Sequence, residues 1–245
     1  MTAEEPGKVF LNWSSGKDAA LALYRVRQEN VYRVEKLVTT VNSEEGSVSM
    51  HGLRSALLRK QAESLGICLL EIPIGATPAT EVYNSIMYRE MSLLKDQGFT
   101  HGIFGDIHLE DIRSYRTNQL KKVGLEALFP LWMNSPVAVV EEVIRLGFKA
   151  VTVCVDASKL DKSFCGRIID RDFLLELPPN VDPAGENGEY HSFVFDGPGF
   201  RNPVDFQKGK IREVNFESGK TADGSEVKGH SWSSRFWYCD LLPIP

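Results

Sequence analysis

The first half of the sequence alternates between short apolar runs and amphipathic stretches, and this alternation constrains the fold more than any other feature. The apolar runs KVFLNW (8–13), VEKLVTTV (34–41) and CLLEIPI (68–74) have the length and composition of buried strands. Helical spacing follows each run, and two of these helical stretches stop at Gly66 and Gly98. Strands that alternate with helices predict a parallel sheet covered on both faces, with ligands bound beyond the carboxyl ends of its strands.

The later elements follow the same order and then change character. We predict helices over residues 18–28, 53–65, about 80–97, one through Leu120 that ends near Gly124, and 137–146, with further strands at 102–106 and 149–156. After Trp132 the pattern gives way to a segment rich in Pro, Gly and Asn and to terminal strands from about Phe206. We therefore predict an α/β fold, with a parallel-sheet domain over residues 1–134 and a smaller α+β domain over residues 135–245.

Composition and charge exclude several classes of protein. The 245 residues carry a net charge of −5 and disperse their Lys and Arg, which disfavours a dedicated nucleic-acid-binding protein. No apolar run reaches the ~20 residues of a membrane-spanning helix, and the acidic start MTAEEPGK is unlike a signal peptide. We therefore expect a cytoplasmic protein with no membrane partner. The four cysteines form no C-x-x-C pair, so neither a disulfide scaffold nor a structural zinc site is predicted.

A polar loop, Ser14-Ser15-Gly16-Lys17-Asp18, separates the first predicted strand from the first predicted helix. The commonest phosphate loop begins with glycine where this chain has leucine, and ends in a hydroxyl where it has Asp18. The physics is nonetheless shared, because small residues let backbone N–H groups approach an anion and the helix N-terminus and Lys17 attract it. A carboxylate beside a phosphate repels it unless a divalent cation lies between, so Asp18 either binds Mg²⁺ or caps the helix.

Other candidate site residues follow the second and fourth predicted strands. Gly105 and Asp106 end a strand, and Asp106 either contacts a nucleotide or caps the next helix. In HLEDIRSYR the charges fit a solvated, salt-bridged helix face, with a nucleotide-facing role for Glu110 and Arg116 as the competing interpretation. His51 follows the second strand, where it is a candidate substrate contact.

Several motifs together resemble one family. SSGKDA is similar to the pyrophosphate-binding loop, commonly Ser-Gly-Gly-Lys-Asp-Ser, of the PP-loop ATP pyrophosphatases. VSMHGLR, GIFGDIHLEDIRSYR, GLEALFPLW and above all GENGEYHSFVFDGP narrow the resemblance to the diphthine–ammonia ligase-like branch, over roughly residues 8–200. The chain departs from the family pattern at Ser15, where many members have a second glycine, and at Ala19, where a hydroxyl contact to phosphate is lost.

The resemblance implies an adenine nucleotide alpha-hydrolase-like sheet, an ATP-binding first domain and a substrate-recognition second domain. It implies an ATP-dependent amide ligase that adenylates a carboxylate, amidates it with ammonia and releases AMP and pyrophosphate. In that reaction Ser14, Ser15, Gly16 and Lys17 would form the cationic cradle for pyrophosphate. Asp18 would bind Mg²⁺, Lys17 and Asp18 would act in catalysis, and Gly105 and Asp106 would contact the nucleotide.

The stretch GENGEYH carries more chemistry than a turn requires, because Glu186, Asn187, Glu189, Tyr190 and His191 lie within six residues. Glu186 and Glu189 are predicted catalytic residues that bind ammonium, remove its proton, or hold a cationic substrate group. Asn187, Tyr190 and His191 are predicted substrate contacts, and Tyr190 would offer an aromatic face to a quaternary ammonium. We expect this stretch to serve the acceptor half of the reaction, apart from the nucleotide.

Two other functions compete with the amide ligase. A tRNA-modifying PP-loop enzyme would be expected to carry catalytic cysteines or a basic RNA-binding appendage, and neither is evident in the sequence. A non-catalytic adenine-nucleotide-binding protein is the third alternative, because of the hydroxyl lost at Ala19. The expected partners are ATP, ammonia and a carboxylate acceptor, either diphthine on a translation factor or a small molecule. A homodimer is favoured only by the prevalence of twofold oligomers.

Overall fold

The computed structural model describes residues 6–44, 47–48, 52–75, 79–217 and 233–244. Its strands are β1 (Gly7–Asn12), β2 (Tyr32–Asn42), β3 (Ser47–Val48), β4 (Cys68–Ile74), β5 (His101–Ile103), β6 (Glu126–Leu128), β7 (Lys149–Asp156), β8 (Tyr190–Asp196), β9 (Phe206–Glu217) and β10 (Ser233–Pro243). Its helices are α1 (Lys17–Glu29), α2 (Ser55–Leu65), α3 (Thr80–Asp96), α4 (Glu110–Lys121), α5 (Pro136–Arg145) and α6 (Arg171–Glu176), with a short 3-10 helix at Lys162–Phe164. Within these described ranges, none of the helices is long and apolar enough to cross a membrane.

The first sheet has a parallel core of five strands in the order β4-β2-β1-β5-β6. Strand β1 lies at its centre, and β3 adds a two-residue antiparallel pairing at the end of β2. The carboxyl ends of β1 and β5 are neighbours, so the polar loop after β1 and the Gly105-Asp106 turn after β5 meet at one edge. The predicted α/β fold with a parallel sheet is confirmed.

Successive side chains of β1 point to opposite faces of the sheet, and both faces are covered by helices. Leu11 and Leu37 belong to a core that includes residues of α1, α2 and α5. Phe10, Val38 and Ile72 belong to a second core with residues of α3 and α4. This two-sided burial is the reason that the strand sequences are almost continuously apolar.

The second sheet is antiparallel, in the order β8-β7-β10-β9. Its residues Val151 and Phe193 belong to the same buried cluster as Leu11 of the parallel sheet, so one core runs through both sheets. Edge strand β8 also reaches the polar loop, because the Val194 N–H donates to the Ser15 carbonyl oxygen at 2.9 Å. The smaller α+β part is therefore packed against the place where β1 ends.

Candidate functional site

The polar loop is held in place by the elements around it. The Trp13 carbonyl oxygen accepts a hydrogen bond from Thr39 Oγ1 at 2.6 Å, and the Trp13 indole donates to Gln61 Oε1 at 2.9 Å. Gln61 Nε2 in turn donates to the carbonyl oxygens of Ser15, at 3.1 Å, and Val194. The Gln61 side chain is fully buried, so its three bonds join α2, the polar loop and β8 through one amide.

Ser15 adopts a left-handed conformation, with φ of 71°. This conformation favours glycine, which explains why a second glycine suits this position in the resembled loops. The Ser15 hydroxyl is buried, and within the described part of the chain it has no hydrogen-bond partner. The next residue, Gly16, packs against β8, where an added Cβ would lie 3.2 Å from the Ser192 carbonyl oxygen. The polar loop therefore has a closely packed backbone and a buried Ser15 hydroxyl that is available for a hydrogen bond to a ligand.

Lys17 opens helix α1, and its ammonium is buried at 2% exposure. It donates to Asp18 Oδ1 and Oδ2 at 3.0 and 2.9 Å and to the Ala184 carbonyl oxygen. The Tyr190 ring lies under the same ammonium, with its centroid 5.0 Å from Nζ. Burial alone lowers the pKa of Lys17, but Asp18, Tyr190 and Glu186 outweigh it and raise that pKa above its ordinary value. The ammonium therefore stays charged, with all three of its donors engaged.

Asp18 and Asp106 occupy neighbouring positions and are each paired with a cation. Gly105 lies so close to the first turn of α1 that an added Cβ would be 2.9 Å from the Asp18 carbonyl carbon. Asp106 Oδ2 lies 2.9 Å from Arg116 Nε, an ion pair whose alignment does not make a hydrogen bond between these two buried atoms. Burial, opposed by Arg116 and reinforced by the charge of Asp18, raises the pKa of Asp106. One of these carboxylates thus comes from the polar loop after β1 and the other from the turn after β5.

Neither aspartate caps a helix. Gly16 is the N-cap of α1 and makes no side-chain cap bond, while Leu109 is the N-cap of α4. The capping alternatives for Asp18 and Asp106 therefore do not describe their contacts, which are ion pairs with Lys17 and Arg116.

Glu186 joins the glycine-rich loop, residues 182–191, to the parallel sheet. Its Oε1 accepts the backbone N–H of Ile107 at 2.8 Å, immediately after the Gly105-Asp106 turn. Burial raises the pKa of Glu186, and the nearby charges of Asp18 and Asp106 raise it further. The expected separation of this loop from the nucleotide loop is not what the fold shows, because Glu186 and the Ala184 carbonyl both approach Lys17. The chain folds so that β8 lies against the polar loop, and this brings the two loops together.

Glu189 is committed to the architecture of the glycine-rich loop. This side chain is almost fully buried, and its two oxygens accept the backbone N–H groups of Asp182 at 3.2 Å and Asn187 at 3.0 Å. Asn187 Nδ2 adds a third bond at 3.3 Å. Tyr190 donates its hydroxyl to the Pro183 carbonyl oxygen at 2.6 Å, and its ring face holds the Lys17 ammonium. Three predicted site residues thus serve the shape of the loop.

Other predicted residues lie away from this cluster. The Glu110 side chain is 66% exposed, 3.5 Å from Arg113 and 3.3 Å from the Ser114 hydroxyl, as expected for a salt-bridged surface face. His191 is half-buried in β8, where its backbone pairs with Cys154. His51 lies outside the described residues.

Sequence reasoning missed three residues that the fold brings to the site. Ser192 Oγ accepts the backbone N–H of Lys17 at 3.2 Å, and Gln61 braces the polar loop. Asp182 Oδ1 accepts the Ala184 N–H at 2.7 Å, so it holds the residue whose carbonyl meets Lys17. Asp182 could have been suspected from its place just ahead of GENGEYH, whereas Gln61 sits in an ordinary amphipathic helix and carries no local signal.

The oxygen donors at the site suit a magnesium ion only in combination with phosphate. Among the described residues, no group of three or more His, Cys, Asp or Glu is arranged to hold a metal. Mg²⁺ commonly needs just one or two carboxylates, with phosphate oxygens and water completing its octahedron. Asp18, whose side chain is 26% exposed, is the carboxylate on the polar loop that fits this role.

An apolar cavity of about 60 Å³ lies under α3 and α4 beside the same strand ends. Its wall includes Phe10, Tyr83, Met87, Phe104 and Arg116. Arg116 links this cavity to Asp106, because its guanidinium also lies 4.6 Å from the Phe104 ring centroid. The site therefore has a polar, cationic part at Lys17 and an apolar part beside Asp106.

Comparison with known proteins agrees with this arrangement. A model of the diphthamide synthase N-terminal domain matches residues 7–127, and a model of the diphthamide synthase C-terminal domain matches residues 135–221. The chain is 30% identical over 124 residues to diphthine–ammonia ligase of Bos taurus, covering 48% of this chain and 46% of that protein. The Homo sapiens protein of the same name is 29% identical over the same shares. The chain thus spans about half the length of the curated relatives it matches. With both domains matched in order, the chain belongs to the diphthine–ammonia ligase-like family.

Proposed function

We propose that this protein is an ATP-dependent amide ligase that adenylates a carboxylate, amidates it with ammonia and releases AMP and pyrophosphate. The observation that carries the proposal is the position of the Lys17 ammonium. It lies at the first turn of α1, in a loop suited to phosphate, and it touches the glycine-rich loop through Ala184. One cation therefore connects a nucleotide site to the loop proposed for the acceptor.

The polar loop fits the pyrophosphate part of ATP. The N-terminus of α1 favours negative charge, and the buried Ser15 hydroxyl supplies a donor with no other partner among the described residues. All three Lys17 donors are engaged, so a phosphate oxygen binds Lys17 by replacing Asp18 or Ala184 as acceptor. Released from Lys17, the Asp18 carboxylate would hold Mg²⁺, which neutralises phosphate charge when bound.

Adenylation is what makes amide formation feasible. A carboxylate reacts poorly with ammonia because its oxygen is a poor leaving group, whereas AMP leaves readily from an acyl-adenylate. As pyrophosphate departs, negative charge grows where the α1 N-terminus and Lys17 are already in place. Preorganised donors of this kind are each worth roughly 10²–10³ in rate. Lys17 thus acts on the first half of the reaction.

Glu186 is the carboxylate proposed for the acceptor side. One of its oxygens accepts the Ile107 N–H, which leaves the other for an ammonium ion or a cationic substrate group. Glu189 suits that role less than Glu186, since both of its oxygens already accept backbone N–H groups. The relatives named diphthine–ammonia ligase suggest diphthine, carried by a translation factor, as the acceptor. Cytoplasmic location and a homodimer stay predictions.

Product analysis tests the proposal directly. Purified protein is incubated with ATP, Mg²⁺, ammonium chloride and a translation factor isolated with unamidated diphthine. We expect AMP and pyrophosphate in equal amounts, dependent on both ammonia and the factor. Release of ADP and phosphate, or AMP formation that depends on tRNA instead, would overturn the amide-ligase assignment. Binding of ATP without turnover would favour a nucleotide-binding protein.

A further inference from the structure

A histidine and an aspartate meet at the edge of the site, and the proposal above uses neither for chemistry. His108 Nε2 lies 3.6 Å from Asp182 Oδ2. The Asp182 side chain is only 8% exposed, whereas that of His108 is 34% exposed. A nearly buried carboxylate therefore faces an imidazole that solvent and small solutes can reach.

Both residues are tied into the site through their neighbours. Glu186 accepts the N–H of Ile107, the residue before His108, and so fixes the segment that carries the imidazole. Asp182 accepts the Ala184 N–H with its other oxygen, and the Ala184 carbonyl oxygen meets Lys17. The imidazole thus lies next to a carboxylate that bonds the N–H of Ala184, the residue whose carbonyl oxygen meets the ammonium of the polar loop.

Apart from Glu186, whose free oxygen is proposed to hold the ammonium or cationic group, the other proton-accepting groups nearby are occupied. Asp18 is bound to Lys17, Asp106 is paired with Arg116, Glu189 accepts backbone N–H groups with both oxygens, and the Tyr190 hydroxyl donates to Pro183. His108 makes no hydrogen bond through its second ring nitrogen to any described residue. Histidine is also the side chain whose ordinary pKa, about 6.5, suits proton transfer at neutral pH.

We propose that His108 accepts the proton lost by the attacking nitrogen in the amidation step, with Asp182 as its positioning residue. This assignment rests on the proposed ligase function. The ammonia lone pair forms the new C–N bond to the acyl carbon, and the C–O bond to AMP breaks with its electron pair leaving on AMP. One N–H proton passes to the imidazole. Asp182 orients the ring and offsets the charge of the imidazolium that forms.

The test compares two nucleophiles in His108→Gln. Both nucleophiles lose one N–H proton on forming the product. Hydroxylamine is largely uncharged near neutral pH and a strong nucleophile that can release this proton to water, whereas ammonia is mostly protonated and depends more on a positioned base. The full chain is assayed with ATP, Mg²⁺ and the diphthine-bearing translation factor. We expect ammonia-dependent amide formation to fall roughly 10²–10⁴-fold, the usual loss with a general base. Hydroxamate formation and ATP–pyrophosphate exchange stay unchanged.

Two further variants sharpen the test. Asp182→Asn keeps an oxygen for the Ala184 N–H but removes the charge. It should reduce amide formation more than hydroxamate formation, and the loss of amide formation should be smaller than in His108→Gln. His101→Gln is the matched control, because His101 Nε2 also lies 3.6 Å from a carboxylate, that of Glu126, whose side chain is 81% exposed. These two residues begin β5 and β6, at the end of the strands away from the site. This control variant should change none of the three rates.

Each other outcome overturns a specific claim. Equal losses with both nucleophiles would assign His108 a structural role, and no loss with either would show that it has no role in the reaction. Should His108→Gln fail to fold, Asp182→Asn carries the comparison, and an equal effect on both nucleophiles contradicts the proposal. Wild-type protein that shows neither pyrophosphate exchange nor hydroxamate overturns the ligase function itself, and this assignment with it.

Discussion

The polar loop and the glycine-rich loop meet at Lys17, yet they are built in opposite ways. The polar loop follows a buried strand, opens a helix and is braced from outside by Gln61 and Thr39. The glycine-rich loop is held mainly from inside, because the Glu189 carboxylate accepts hydrogen bonds from two of its backbone N–H groups. In the polar loop the chemically distinctive residues face the site, whereas in the glycine-rich loop several of them maintain the loop.

This contrast shows how far residue type can indicate role. A lysine and an aspartate after a strand are in position for chemistry because the strand and helix fix their direction. A glutamate in a loop has no such constraint, and Glu189 differs from Glu186 only in where the surrounding N–H groups lie. The roles of the two glutamates in the glycine-rich loop are therefore assigned from how many of their carboxylate oxygens already accept hydrogen bonds.

The largest effect on stability is expected from breaking the external brace with Gln61→Leu. The substitution leaves the Trp13 indole without its acceptor and removes a donor from the Val194 and Ser15 carbonyl groups, of which Ser15 keeps the Val194 N–H. Each unsatisfied buried group costs about 1–3 kcal/mol, so we expect a loss of roughly 3 kcal/mol or more in the free energy of unfolding. Urea unfolding measures it. Gln119→Leu is the control, since the two bonds of Gln119, with Asn84 at 3.4 Å and Lys122 at 3.1 Å, join surface side chains; equal effects would contradict the brace.

Removing the shared cation with Lys17→Ala should weaken ATP binding or turnover at least ~10-fold, about 1.4 kcal/mol, in a protein that stays folded. The reason is that the pyrophosphate site loses its buried ammonium. Calorimetry with ATP and circular dichroism measure the two quantities. Lys36→Ala on β2, bonded at 3.2 Å to Gln97, should leave both unchanged. Normal ATP affinity in Lys17→Ala would remove the pyrophosphate assignment.

Weakening the internal brace with Glu189→Gln should lower the free energy of unfolding by about 1–3 kcal/mol. Glutamine keeps one acceptor oxygen, but its amide group then faces an N–H donor that the second carboxylate oxygen had accepted. Thermal unfolding compared with Glu186→Gln provides the check, because Glu186 has one oxygen on a single N–H. A larger loss of stability in Glu186→Gln would reverse the roles assigned to the two glutamates.

The smallest expected effect is a pH dependence at Glu186. Burial raises the pKa of this carboxyl in the folded protein above its unfolded value of about 4.3. The folded state then binds the proton more tightly, so the stability from this group is full below that value and is lost as pH rises through the folded pKa. Glu186→Gln should therefore be progressively more stable than wild type from pH 4 to 7. A difference that shrinks over this range would contradict the sign.

Much of the fold follows from local patterns. The strands predicted at 68–74 and 149–156 coincide with β4 and β7, and the helix predicted over 18–28 corresponds to α1. The spacing of apolar residues and the glycine that ends a helix both lie within the segment they predict. Gly66, for example, ends α2 in a left-handed conformation with φ of 65°. The candidate positions of Lys17, Asp18 and Asp106 at strand ends follow from the same reasoning.

The meeting of the two loops could not be predicted in that way. It depends on β8, a strand that the sequence analysis did not identify, pairing through Val194 with the Ser15 carbonyl. The His108–Asp182 contact depends on the same docking. Such contacts join residues far apart in the chain, and the local spacing of apolar residues does not predict them.

Hydrogen exchange of the glycine-rich loop on addition of ATP tests the central claim most directly, namely that one ammonium couples this loop to the nucleotide site. In wild type we predict that ATP changes the exchange rates of the Ala184 and Asn187 amides, because phosphate replaces an acceptor of Lys17 and the loop responds. In Lys17→Ala, ATP at a concentration that restores binding should leave these rates unaltered. Unchanged rates in ATP-saturated wild type, or equal changes in both proteins, would contradict the account.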